Sequence, residues 1–144
     1  MADYKYAEGR IIDSVQFILR EMAEFDEDYA DKDWKEYNSD TKLQKLIERT
    51  VENILTAMLE AAGTLLAKEG VVAENYFEVM EKAGRFFKLG EPECKDLAKL
   101  AIQRNRLVHR YLDLKWQVII AYKQNRSLLK KFLKLVLDKE SSKA

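Results

Sequence analysis

The sequence predicts an all-α fold, an up-and-down bundle of four or five helices, and three observations carry that expectation. Apolar residues recur at steps of three and four along most of the chain, the period of a helix that buries one face. One proline and five glycines in 144 residues leave room for long uninterrupted helices. No alternating strand pattern and no internal repeat is present. With 47% hydrophobic and 35% charged residues, the chain can bury a core beneath a solvated surface, and a single domain over residues 1–144 is expected.

The first helix is expected from about Tyr4 to Phe25. Ile11, Val15, Ile18, Met22 and Phe25 form its stripe, and Ile12 and Leu19 widen it. The acidic run Asp26 to Asp33 reads as a solvated connector, with Trp34 and Tyr37 folding back on the core. Ser39 or Asp40 can cap the second helix. Its stripe runs from Leu43 through Ile47, Val51, Ile54, Leu55, Met58, Ala62 and Leu65 to Leu66, and Gly70 ends it. At 1.5 Å per residue this helix is roughly 40 Å long, the spine of the bundle. A short third helix, about Ala73 to Ala83, carries Tyr76, Phe77, Val79 and Met80, read as core. Gly84 and Gly90 bracket a turn holding Phe86, Phe87 and Leu89. Pro92 opens a fourth helix with Leu97, Leu100, Ala101, Leu107 and Val108 on its apolar face, expected to end near Asp113. Asp113 then caps a final helical region, with a break near Asn125 to Ser127 and a frayed tail from about residue 140.

No stretch approaches about 18 consecutive apolar residues, so no membrane span is expected. Met1-Ala2-Asp3-Tyr4 has neither the basic head nor the apolar run of a secretion signal. Cys94 is the lone cysteine and has no internal partner for a disulfide, so the cytoplasm is the expected compartment. The formal net charge of zero hides an asymmetry. Arg104 to Ala144 holds 11 Lys/Arg against 3 Asp/Glu, and residues 1–103 hold 14 against 22. A basic C-terminal part suits an anionic partner such as nucleic acid, although a solvated basic helix would look the same.

The basic part begins at Arg104-Asn105-Arg106-Leu107-Val108-His109-Arg110-Tyr111, which contains the only histidine. Histidine is the side chain that exchanges protons near neutral pH, and arginine grips phosphate oxygens in bidentate fashion. Cleavage of RNA needs both abilities. A base takes the proton of a 2′-hydroxyl, the oxygen attacks phosphorus, and a cation stabilises the charge that develops. Other chemistries lack their residues. The glycines form no phosphate-binding loop, and one Cys with one His cannot make a zinc site. A di-iron bundle needs paired Glu-x-x-His elements. No metal and no cofactor is expected. Helix geometry adds a condition. At 100° per residue, Arg104 and His109 lie about 140° apart on one straight helix. A kink, the reach of arginine or a second protomer must bring them together. A helical histidine is also commonly just a structural polar group, and Tyr111 alone would read as a half-buried aromatic.

The segment Arg104 to Tyr111 resembles the Arg-x4-His-x-Tyr motif of the HepT-like toxins in the HEPN superfamily. The resemblance extends to Glu48-Arg49, Lys68-Glu69-Gly70, Asn75-Tyr76-Phe77, Leu97 to Tyr111 and Phe132, and is weakest from Asp26 to Tyr37. It implies an HEPN-like bundle and a homodimeric, metal-independent endoribonuclease of a type II toxin–antitoxin pair. Its implied partner is a nucleotidyltransferase antitoxin of the MNT type, which adenylylates the motif tyrosine and so blocks RNA access. Carried over by position, Arg104 and His109 are catalytic, Asn105 supports them, and Tyr111 is the modification target. Arg106 and Arg110 are not fixed by the motif, and their RNA-binding role rests on charge. The alternative is a non-catalytic helical subunit that binds nucleotide or substrate for a partner nucleotidyltransferase.

Overall fold

The computed structural model describes residues 2–142, with side chains over residues 9–142. Among the described residues seven helices follow one another: α1 Ala2–Asp28, α2 Trp34–Ser39, α3 Thr41–Lys68, α4 Tyr76–Phe86, α5 Glu91–Arg106, α6 Leu112–Gln124 and α7 Arg126–Ser141. Among the described residues there is no strand, and no helix is long and apolar enough to cross a membrane. The count exceeds the expected four or five because the connector after α1 contains a helix and the C-terminal region breaks twice.

The spine is α3. Asp40 caps it, its carboxylate accepting from the Leu43 amide at 3.1 Å, while the Ser39 hydroxyl donates back to the Lys35 carbonyl. At the other end Gly70 takes φ +71, and the Val71 amide reaches the Leu66 carbonyl at 2.8 Å. That left-handed turn suits glycine, which has no Cβ to clash. Ile47, Val51, Ile54, Leu55, Met58, Ala62 and Leu65 on α3 are at most 1% exposed. Full burial of such an aliphatic side chain stabilises by about 1.5–3 kcal/mol. Helices α1, α2, α4, α5 and α6 all pack on α3, and α7 packs on α1, α5 and α6.

In the first helix, Ile11, Val15, Ile18, Met22 and Phe25 are buried as the periodicity requires, but the helix continues to Asp28. Tyr29 follows it into the core, edge-on to Phe25. The supposed open connector is thus a short turn and then α2, held by a capping box. The Glu36 amide donates to the Asp33 carboxylate at 2.8 Å, and the Asp33 amide donates to Glu36 at 3.4 Å. Tyr37 folds back as expected and is fully buried against Trp116, 4.9 Å between ring centroids.

The third helix is shifted along the chain by its cap. Asn75 accepts from the Glu78 amide at 2.9 Å, which starts α4 at Tyr76 and carries it to Phe86. Gly84 is therefore inside the helix and does not bracket a turn. A Cβ at this position would stand 2.9 Å from the Cys94 sulfur and 3.3 Å from the Cys94 Cα, so a hydrogen is all that fits between α4 and α5. Pro92 lies in the first turn of α5, behind Glu91.

The C-terminal part departs from the expected helix boundaries. The fourth helix stops at Arg106, not near Asp113, and Asp113 sits in the first turn of α6, whose N-cap is Tyr111. The break at Asn125 is where the sequence placed it. Across it, Arg126 makes a two-point ion pair with Asp26, and Lys123 donates to the Ala30 carbonyl at 2.9 Å. Glu140 is buried in an ion pair with Lys68, and α7 runs to Ser141; the last two residues lie outside the described ones.

Candidate active site

The motif is divided between a helix end and a turn. Arg104 and Arg106 occupy the last turn of α5, where cations interact favourably with the helix dipole. The Leu107 amide then donates to the Arg104 carbonyl, and the His109 amide to the Arg106 carbonyl, both at 3.2 Å. These two tight turns end α5 and lead into α6. Leu107, 8% exposed, is the apolar pin of the turn. Val108, His109, Arg110 and Tyr111 all face solvent, Val108 with 84% and Tyr111 with 63% exposure. The straight-helix arithmetic, with its 140° separation of Arg104 and His109, does not carry across this turn. Arg104 lies on α5, and His109 lies in the turn that follows the end of that helix.

Arg104 is half-buried and held from two other helices. Its Nε donates to the Thr56 Oγ1 of α3 at 2.9 Å. Its guanidinium carbon stands 5.8 Å from the centre of the Tyr76 ring at the start of α4, a cation–π distance. Nε and one flank are therefore engaged, and the two terminal NH2 groups retain their donors for an anion. Asn105 is exposed, and Arg106 reaches only the Gln103 carboxamide at 3.5 Å. Among the described residues no hydrogen bond joins one motif side chain to another.

The turn is anchored from the α6 side by a network the sequence did not announce. The Glu48 carboxylate on α3 accepts from the Tyr37 hydroxyl at 2.5 Å and from Lys115 Nζ at 3.1 Å. Lys115 lies one turn into α6, and its amide donates to the Tyr111 carbonyl at 3.2 Å. Burial, and then the Glu48 carboxylate, push the Tyr37 phenol far above its ordinary range, so it stays a donor. Trp34, Tyr37 and Trp116 close over the network with ring centroids 4.9–6.0 Å apart. The available signal was positional: Glu48 follows the buried Ile47 on the edge of the α3 stripe, and Lys115 precedes Trp116.

The surroundings of Arg104 are two-sided. Thr56 also lines a hollow of about 310 Å³ between α1 and α3, with Asp13, Ser14, Asn53 and Glu60. Its carboxylates disfavour a phosphate there. On the α4 side lies a second hollow, beside Tyr76. Cys94 stays buried at the α4–α5 contact, its thiol raised by desolvation first. Among the described residues no group of three or more His, Cys, Asp or Glu is placed to hold a metal ion.

A family model described as HepT-like, ribonuclease HepT-like, matches residues 18–136, which include all of α2 to α6 and the segment Arg104 to Tyr111. No curated protein matches the chain. The matched region covers well over half of the sequence and agrees with the helical architecture: the chain belongs to the HepT-like ribonuclease family.

Proposed function

We propose that the chain is a metal-independent endoribonuclease and the toxin of a type II toxin–antitoxin pair. The observation that carries this reading is Arg104, fixed through Nε and its flank with its terminal NH2 groups uncommitted, beside a turn that exposes His109. His109 removes the proton from a 2′-hydroxyl. The O2′–P bond forms, the P–O5′ bond breaks, and Arg104 stabilises the extra negative charge on the phosphoryl oxygens. The products are a 2′,3′-cyclic phosphate and a 5′-hydroxyl, whose oxygen takes up a proton on leaving. Asn105 supports the pair, and Arg106 and Arg110 bind flanking phosphates. The α6 N-terminus, which starts directly after Tyr111 and which no side chain caps, adds backbone donors.

The working unit is a homodimer with two such segments across one cleft, as the family resemblance suggests. An MNT-type nucleotidyltransferase is its antitoxin, and Tyr111, at 63% exposure, is open to adenylylation. The test of activity is incubation of the purified chain with RNA in excess EDTA. Cleavage with cyclic-phosphate ends is expected, and an inert wild type would favour the alternative, a binding subunit without catalysis. With the cognate nucleotidyltransferase and ATP, intact mass should rise by one or more AMP units. Equal modification of Tyr111→Phe would rule out this tyrosine as the target.

A further inference from the structure

We infer that Tyr76 and the hollow beside it form a nucleobase subsite next to the phosphate grip of Arg104. This rests on the reading of the chain as an RNA-cleaving protein and adds the place where a base of the substrate is held.

Tyr76 was expected in the core, but it is 55% exposed. Met80 is buried, Phe77 and Val79 are half-buried, and these make the packing of α4. The tyrosine is nonetheless fixed. It is the first residue of α4, and its ring stands 5.8 Å from the Arg104 guanidinium. The loop before it is fastened at three points. Lys82 Nζ donates to the Val72 carbonyl at 2.5 Å, the Glu74 amide to Glu78 at 2.8 Å, and the Glu78 amide to Asn75 at 2.9 Å. Between loop and helix is a hollow of about 410 Å³, lined by Ala73, Glu74, Asn75, Tyr76 and Val79. That size lies within the range of about 300–1,000 Å³ for small-ligand clefts.

The chemistry selects the occupant. A flat aromatic with Ala73 and Val79 suits a flat, weakly polar ligand. The Glu74 carboxylate repels a second phosphate but can accept from the exocyclic amine of a base. The cation that would bind a phosphate touches the same ring, so base and phosphate fall within one nucleotide of each other. A base joined to a gripped phosphate satisfies all of these conditions at once.

The experiment is a binding measurement on the full chain with a fluorescent oligoribonucleotide made uncleavable by 2′-O-methyl sugars. A series of oligonucleotides is used in which each position in turn is abasic. Tyr76→Ala should raise Kd about tenfold, in the range of one lost base stack, and Tyr76→Phe should not. One abasic position should cost the wild type a similar factor. On that oligonucleotide Tyr76→Ala should cost nothing further. If the two losses multiply at every position, Tyr76 acts only through Arg104 and the subsite is wrong; no effect of Tyr76→Ala on Kd overturns it as well. A wild type that binds with this coupling but cleaves no RNA keeps the subsite and removes the ribonuclease reading. A wild type that cleaves while the losses multiply does the reverse, and failure to bind any oligonucleotide removes both.

Discussion

Arg104→Ala lowers RNA cleavage by about 10²–10³-fold, the effect of removing a donor that stabilises transition-state charge. His109→Ala lowers it by about 10²–10⁴-fold, the worth of a positioned general base. On the proposed mechanism the double variant is little worse than the poorer single one, because both residues would act on one transition state. Arg104→Lys does not restore the rate. A lysine ammonium is a compact point charge without the planar fork, and it cannot present one donor to Thr56 and two more to phosphate. Thr56→Val gives an intermediate loss of about tenfold by freeing Nε, the net worth of one hydrogen bond to a charged group. Thr56→Ser keeps the acceptor and recovers most of that loss. The measurement is single-turnover cleavage in EDTA, with thermal melts to show that each variant is folded. An Arg104→Ala rate within about threefold of wild type would sink the assignment, since so small a change is below the contribution of one oriented donor.

How much of this was legible in the sequence depends on whether a local signal exists. The spine had every signal. Asp40 at the start, an unbroken apolar stripe and Gly70 at the end fixed α3 to within a residue or two. The helix end at Arg106 had no glycine or proline to mark it, and Leu107 and Val108 continue the apolar pattern. Only charge marked the break: Arg104 and Arg106 suit a C-terminus, and Asp113 suits the next N-terminus. The candidate site residues stood out, because a single histidine among arginines is conspicuous in any register. Their setting did not. Thr56 lies 48 positions from Arg104, and Glu48 lies 67 from Lys115, and no pattern in one chain announces such pairings. Tyr76 misled for a related reason. An aromatic at helical spacing is counted as core, and only the position of the Asn75 cap turns it outward.

Lys68→Met lowers the melting temperature by about 10 °C. Lys68 is the last residue of α3, and its ammonium meets both Glu140 oxygens, at 2.9 and 2.7 Å. The two side chains are only 6% and 0% exposed. Pairs such as Arg85–Glu91 and Lys32–Glu36 stand in solvent, and pairs of that kind contribute about 0–1 kcal/mol. Removing the lysine is different, because it leaves a carboxylate buried beneath the C-terminal turn of α7, near the negative end of that helix dipole. Breaking a buried pair in this way costs about 3–5 kcal/mol. At about 2–4 °C per kcal/mol for a chain near this size, a shift near 10 °C follows. A second substitution should rescue the loss. With Glu140→Leu added, the stranded carboxylate is gone, and the double variant should melt well above Lys68→Met alone. Calorimetry of the two single variants and the double one decides the matter. Additive losses would mean that the ends of α3 and α7 are joined by packing alone, and that the ion pair contributes nothing of its own.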